Sequence, residues 1–279
     1  MRRNHGPYSP RLENALQAII SSFVTLAIVM ITLFLTPTTG TADILNIDAA
    51  INKAGMQRML TQRIAKSYLL IGQDVATDTA LKQLDGSVAL FEQNLGELED
   101  FSPTREITAS LGDIRDSWNQ FRQSAISQPK RDQALSVIKQ ASRLLELCDK
   151  NVQLFETYSG GRKGELINLA GRQRMLSQRI GMLYVAKSWR IDDQTVEEGF
   201  ALAMKDFDSA LGLLTQSPLN TEEINQALSD VVSQWQFSRS GFELDESGRH
   251  VPFVIQVTTE SILKKMDAIT NLYTSLGSS

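Results

Sequence analysis

One stretch of this chain occurs twice. Residues 51–64 read INKAGMQRMLTQRI and residues 167–180 read INLAGRQRMLSQRI, identical at eleven of fourteen positions and offset by 116. A repeat at this spacing means that one folding unit has been used twice, so whatever the first copy packs against must have a counterpart for the second. Each copy predicts a helix: Ala, Met, Leu, Gln and Arg dominate, the single glycine comes early and no proline interrupts. At 100° per residue, Ile51, Gly55, Arg58, Gln62 and Ala65 share one stripe, while Met56, Leu60, Ile64 and Ile71 share the opposite one. In the second copy Ile167, Gly171, Arg174, Gln178 and Gly181 oppose Leu176 and Ile180. The helix therefore has two faces to bury. The Leu/Ile face suits the core of its own domain, and the face carrying an arginine between small residues suits close approach of another helix. An arginine in such a seam must meet a carboxylate or a small anion, because an unpaired buried charge costs roughly 3 to 5 kcal/mol.

The similarity runs past the motif. Tyr68 recurs as Tyr184, and FEQNLGEL from Phe91 recurs as FDSALGLL from Phe207. Ile107, Leu111, Asp113 and Trp118 return as Ile224, Leu228, Asp230 and Trp235, and Leu144, Leu145 and Asp149 align more loosely with Ile262, Leu263 and Asp267. Breakers divide the first copy into four helical stretches, from about Asp43 to Ile71, about Thr77 to Leu98, from Ser102-Pro103 with Ser102 as N-cap, and from Gln128-Pro129. The expected fold is all-α, with two tandem up-down four-helix bundles at 43–159 and 164–279 behind an N-terminal apolar helix. The segment from Ser159 to Gly164 is too glycine-rich to continue a helix well. If it folds the chain back, Arg58 faces Arg174 within one molecule; if the fourth helix runs on into the fifth, the bundles stack end to end. Fold-back is the preferred expectation. Residues 244–252 read as a solvated polar turn.

At the repeated residues the chain resembles the P box of NarX-type nitrate/nitrite sensor kinases and the matching segment of PilJ-type chemotaxis transducers. Their sensor domains are periplasmic four-helix bundles. In the nitrate sensors an arginine of this segment from each of two subunits grips one nitrate across a dimer interface. The resemblance implies that role for Arg58 and Arg174, with Gly55 and Gly171 letting the ligand near the backbone. Arg63 and Arg179 match a second arginine of the motif, and Gln62 and Gln178, on the arginine stripe, complete the candidate ligand-binding set. The copies depart from each other at Lys53/Leu169 and Met56/Arg172. A guanidinium is a flat fork of donors suited to nitrate, nitrite or a carboxylate. Two such groups about 6 Å apart repel by on the order of 3 kcal/mol at an effective dielectric near 20, and an anion between them reverses the sign.

Other chemistry finds little support. The single cysteine, Cys148, lies among leucines and reads as a buried helix residue, so there is no internal disulfide and no CxxC pair. His5 and His250 lie outside the motif, and neither a catalytic nucleophile with its base nor a metal cluster is evident. The expectation is a non-enzyme without catalytic residues, metal or cofactor. A net charge of −4 gives no sign of a nucleic-acid partner.

The N-terminal residues 1–17 form a basic tail, followed by an apolar segment at 18–36 whose uncharged run, Ala18 to Leu35, would span about 27 Å as a helix. Basic residues before it keep that side in the cytoplasm and send the remainder outward, and the resemblance implies that this places the bulk of the chain in the periplasm beyond the inner membrane. The alternative is a signal segment cleaved near Ala42, leaving a soluble periplasmic protein. Only Gly277, Ser278 and Ser279 follow Leu276 in this sequence, so a second membrane helix or signalling coiled coil is not expected. The expected function is thus sensing of a small nitrate- or nitrite-like anion, as a homodimer or intramolecular pseudo-dimer, reported to a separate sensor kinase or chemotaxis transducer. The alternative is a protein-protein interaction or structural module of a chemosensory or pilus-associated complex that binds no ligand.

Overall fold

The repeated motif forms two long helices that lie side by side. A computed structural model describes residues 45–243 and 251–277. Among these residues there are eight helices and no strand: α1 (Ile47–Gly72), α2 (Thr77–Phe101), α3 (Arg105–Ala125), α4 (Arg131–Ser159), α5 (Arg162–Ser188), α6 (Gln194–Thr215), α7 (Glu222–Glu243) and α8 (Pro252–Ser275). The expected membrane or signal segment, and most of the expected polar turn at 244–252, lie outside the described residues. No helix of the described residues is long and apolar enough to cross a membrane.

Local chemistry sets the helix ends. Asn46 caps α1, its side chain accepting from Ala49 N at 2.9 Å. The cap of α3 is Thr104, accepting from Ile107 N at 3.2 Å, rather than Ser102. Ser102 precedes a proline, which keeps it out of helical conformation, and it closes α2 instead. Likewise α4 begins two residues after Pro129, and Lys130 at its N-cap position turns its N–H to the Tyr68 hydroxyl at 3.0 Å. Between α4 and α5 stands Gly160 at φ 65, a left-handed conformation that a glycine adopts without Cβ strain.

That short break folds the chain back. α1 packs on α2 and α4, with α3 against α4; α5 packs on α6 and α8, with α7 against α8. The two quartets meet chiefly through α1 and α5, the most extensive helix pair among the described residues. These helices run parallel: Lys163 pairs with Asp48 at 2.7 Å near their starts, and Gln73 Nε2 donates to Val185 O at 2.9 Å near their ends. At that far end the α-carbon of Gly72 lies under the Trp189 ring, where an added Cβ would come within 2.2 Å of the indole. Being gripped from several sides, α1 buries both its Leu/Ile face and its arginine face.

The repeat is also visible in the packing. Phe91 stacks on Trp118 at 4.0 Å, and Phe207 lies 4.2 Å from Trp235. Each indole N–H donates to an acid one helix away, Glu92 in the first case and Asp208 in the second. Tyr184 accepts from Val251 N at 3.1 Å as Tyr68 does from Lys130 N. One apolar core runs through both quartets, and Cys148 is buried in it, its thiol pushed far up from its ordinary range by burial.

Candidate functional site

The parallel helices α1 and α5 come backbone to backbone where the glycines meet. A Cβ built on Gly55 would sit 3.9 Å from the α-carbon of Gly171, and the reverse distance is the same. The same two Cβ positions would lie 3.2 to 3.5 Å from Nη2 of both Arg58 and Arg174. Four of the expected site residues are therefore assembled at one point, the glycines making the room and the arginines reaching over it.

Each arginine is anchored twice. Arg58 Nη1 donates to Asp149 Oδ1 at 2.6 Å, and its Nη2 donates to the carbonyl of Asn168 on α5 at 3.1 Å. Arg174 repeats the arrangement with Asp267 Oδ1 at 2.6 Å and the carbonyl of Asn52 on α1 at 3.1 Å. Both guanidiniums are buried, at 1% and 0% exposure, while the aspartate side chains remain 36% and 40% exposed. Burial lowers both arginine pKa values, and the paired aspartates oppose that shift. The Nε of each arginine is buried with no protein acceptor. So each arginine is ion-paired within its own quartet and hydrogen-bonded across to the other.

The remaining expected residues lie one to two turns further along. Gln62 and Gln178 turn inward, donating to the carbonyls of Ala141 at 3.3 Å and Thr259 at 3.2 Å, where they tie α1 to α4 and α5 to α8. Arg63 crosses to α8 and grips Glu260 with Nε at 3.2 Å and Nη2 at 2.6 Å. Arg179 reaches the other way, to Gln62 Oε1 on α1 at 3.3 Å and to Ser142 Oγ on α4 at 3.4 Å. These two arginines are thus displaced along the seam from the Arg58/Arg174 pair.

Reading the sequence alone did not assign roles to Asp149, Asp267, Lys66 or Glu260. The aspartates could have been found, because they recur in the alignment of the fourth and eighth helices and a buried arginine calls for a carboxylate. Lys66 could not be placed by the repeat, since its counterpart is Met182. It is fully buried, its Nζ bonded to Glu260 at 2.9 Å and to Gln178 at 2.6 Å. Burial drives its pKa down to about 8 against the pull of Glu260. Burial alone would raise the Glu260 carboxyl, but Lys66 and Arg63 together hold it below its ordinary range.

No group of three or more metal-type ligands occurs among the described residues. The fold and seam define an all-helical module built on a duplicated, arginine-bearing helix pair. The model of the type IV pili methyl-accepting chemotaxis transducer N-terminal domain, PilJ, matches residues 42–143 and again residues 159–243, and the chain belongs to this family. Its domain is a non-catalytic signalling domain. Of the two resemblances carried by the repeated motif, this is the one shown, and specificity of the nitrate-sensor type is not part of it. No curated protein and no solved structure matches the chain.

Proposed function

We propose that this chain is a non-catalytic sensory module of a chemotaxis-transducer system in which two four-helix bundles pair inside one polypeptide. The observation that carries this reading is the reciprocal seam: each buried arginine is neutralised by an aspartate of its own quartet and bonded to a backbone carbonyl of the other. Such a crossing can respond to a ligand, because anything competing for Nη2 also changes what holds α1 to α5. A small planar oxyanion such as nitrate or nitrite suits the donor set and would compete with the carbonyls for Nη2. The apolar run at 18–35 would hold the chain in the inner membrane with its bulk in the periplasm, or be removed near Ala42. Output would pass to a separate sensor kinase or transducer.

Calorimetric titration of the purified chain with nitrate and nitrite tests the ligand. Saturable binding is expected, at one anion per chain, and it should vanish in the R58A/R174A double variant. A second reading is favoured by the ion pairs themselves. Both guanidiniums are already charge-balanced by Asp149 and Asp267, so the seam can serve as a fixed lock in an interaction module that binds no ligand. Absence of anion binding at millimolar concentration, together with retained capture of a transducer partner, would decide for that reading.

A further inference from the structure

Arg63 and Arg179 occupy the same position in the two copies, yet among the described residues only Arg63 is ion-paired with a carboxylate. Glu260 on α8 takes Arg63 through both Nε and Nη2. Its counterpart on α4 is Ser142. The correspondence is fixed by contacts: Asp149 and Asp267 pair with the equivalent arginines, and Ala141 O and Thr259 O receive the equivalent glutamines. Arg179 therefore meets only two neutral oxygens through Nη1, and no carboxylate among the described residues forms an ion pair with it. Burial lowers its pKa, while Glu146 and Asp206 act on it through space alone.

Beside Arg179, between α4, α5 and α6, runs a groove of about 190 Å³. Arg179 lies in its wall with the apolar side chains of Leu145, Met175, Leu176 and Leu202. The other charges there are largely committed. Asp149 holds Arg58, Asp206 holds Arg172 at 3.1 Å, and Glu146 stands exposed one turn beyond Ser142. We propose that this groove binds a small aliphatic monocarboxylate, its carboxylate on the Arg179 guanidinium and its short tail on the leucine and methionine side chains. The site goes beyond the anion reading above, since it uses a different arginine and a ligand with an apolar part.

Propionate is the probe, with 1-propanol as its uncharged counterpart, titrated calorimetrically into the full chain at constant ionic strength and neutral pH. Saturable propionate binding is expected, with none for propanol. Arg179→Gln should weaken it at least tenfold. Ser142→Glu should do the same while raising the unfolding temperature, because it supplies internally the ion-pair partner that Arg179 lacks. Glu146→Gln should tighten binding by about twofold. No saturable binding to the wild-type chain, or binding that survives both Arg179→Gln and Ser142→Glu, overturns the proposal. Far-UV circular dichroism verifies the fold of each variant, and Arg179→Gln carries the test if Ser142→Glu does not fold. Failure here leaves nitrate binding at Arg58 and Arg174 untouched, and loss of nitrate binding in R58A/R174A says nothing against propionate.

Discussion

On one flank of the α1–α5 seam, Arg63 and Lys66 share the carboxylate of Glu260; on the other, Arg179 faces Gln62 and Ser142, and Met182 stands where the lysine would be. The glutamine-arginine-isoleucine segment is identical in both copies, so the difference is made by its neighbours. Three paired positions account for it: Ala65/Gly181, Lys66/Met182 and Ser142/Glu260. The centre of the seam, by contrast, is kept the same on both sides, down to matching 2.6 Å and 3.1 Å bonds. The two copies keep the crossing that holds the halves together and differ at its flanks, one an internally neutralised cluster and one an arginine with no ion-paired carboxylate among the described residues.

The largest effect should come from removing the charge that defines the first flank. Glu260→Ala leaves Lys66 fully buried and Arg63 part-buried without their anion, and breaking such a pair costs roughly 3 to 5 kcal/mol. Ser142→Ala on the opposite flank removes only a weak neutral contact and should change stability by no more than about 0.5 kcal/mol. Urea unfolding of both variants measures the contrast. Equal losses would mean that the flanks are energetically alike and that the asymmetry is geometric only.

Much of this arrangement is legible in the sequence, and the part that is not has a definite cause. The 3.6-residue periodicity and the breakers around Gly72, Pro103, Pro129 and Gly160 foretell the helices, because those signals are local. The seam of Gly55, Arg58, Gly171 and Arg174 is foretold as well, since small residues flanking an arginine on one stripe demand a close neighbour and a counter-charge. What the local signal misses is which carboxylate answers which arginine. Asp149 lies 91 residues from Arg58, a pairing fixed only when the first quartet closes, and Glu260 lies 197 from Arg63, a pairing fixed only once the chain folds back. Lys66 is missed for another reason: in one copy of a repeat, a lysine on a helix reads as solvent-facing, and only a partner helix displaying Glu260 makes its burial tolerable.

The second flank difference is one of titration. Lys66 has a folded pKa of about 8 against an ordinary 10.5, so between those values the unfolded chain binds the proton and the folded chain does not. Stability should therefore carry a burial penalty below pH 8 that is relieved as pH rises toward 10.5, by roughly 3 kcal/mol at most. Glu260 has the opposite signature at low pH: its carboxyl is held down, so its contribution is present near neutrality and is lost as pH falls through its folded value. Denaturant unfolding between pH 7 and 10 on the wild-type chain and on Lys66→Met isolates the lysine. Met occupies this position in the second copy, so the variant keeps a buried chain there, and the alkaline gain should disappear with it. A gain of equal size in both proteins would assign the effect to other groups.

The smallest effect concerns the space through which Lys66 passes. A Cβ on Gly181 would lie 2.9 Å from Thr259 Oγ1 and 3.1 Å from Lys66 Cδ. The threonine cannot withdraw easily, because its hydroxyl is bonded to Ile255 O at 2.8 Å and its Cβ is branched on a helix. The lysine stem is the softer neighbour, but its Nζ is pinned between Gln178 and Glu260. Gly181→Ala gains helix propensity of up to about 1 kcal/mol. Overpacking typically costs about 1 to 3 kcal/mol, so a net loss on the order of 1 kcal/mol is expected. If the lysine is what the glycine accommodates, Lys66→Met should recover part of that loss, and the two changes should couple in a double-mutant cycle. Additive effects would place the clash on Thr259 alone. In that case Gly181 belongs to the packing of α5 on α8, and the lysine and the glycine diverged from the first copy independently.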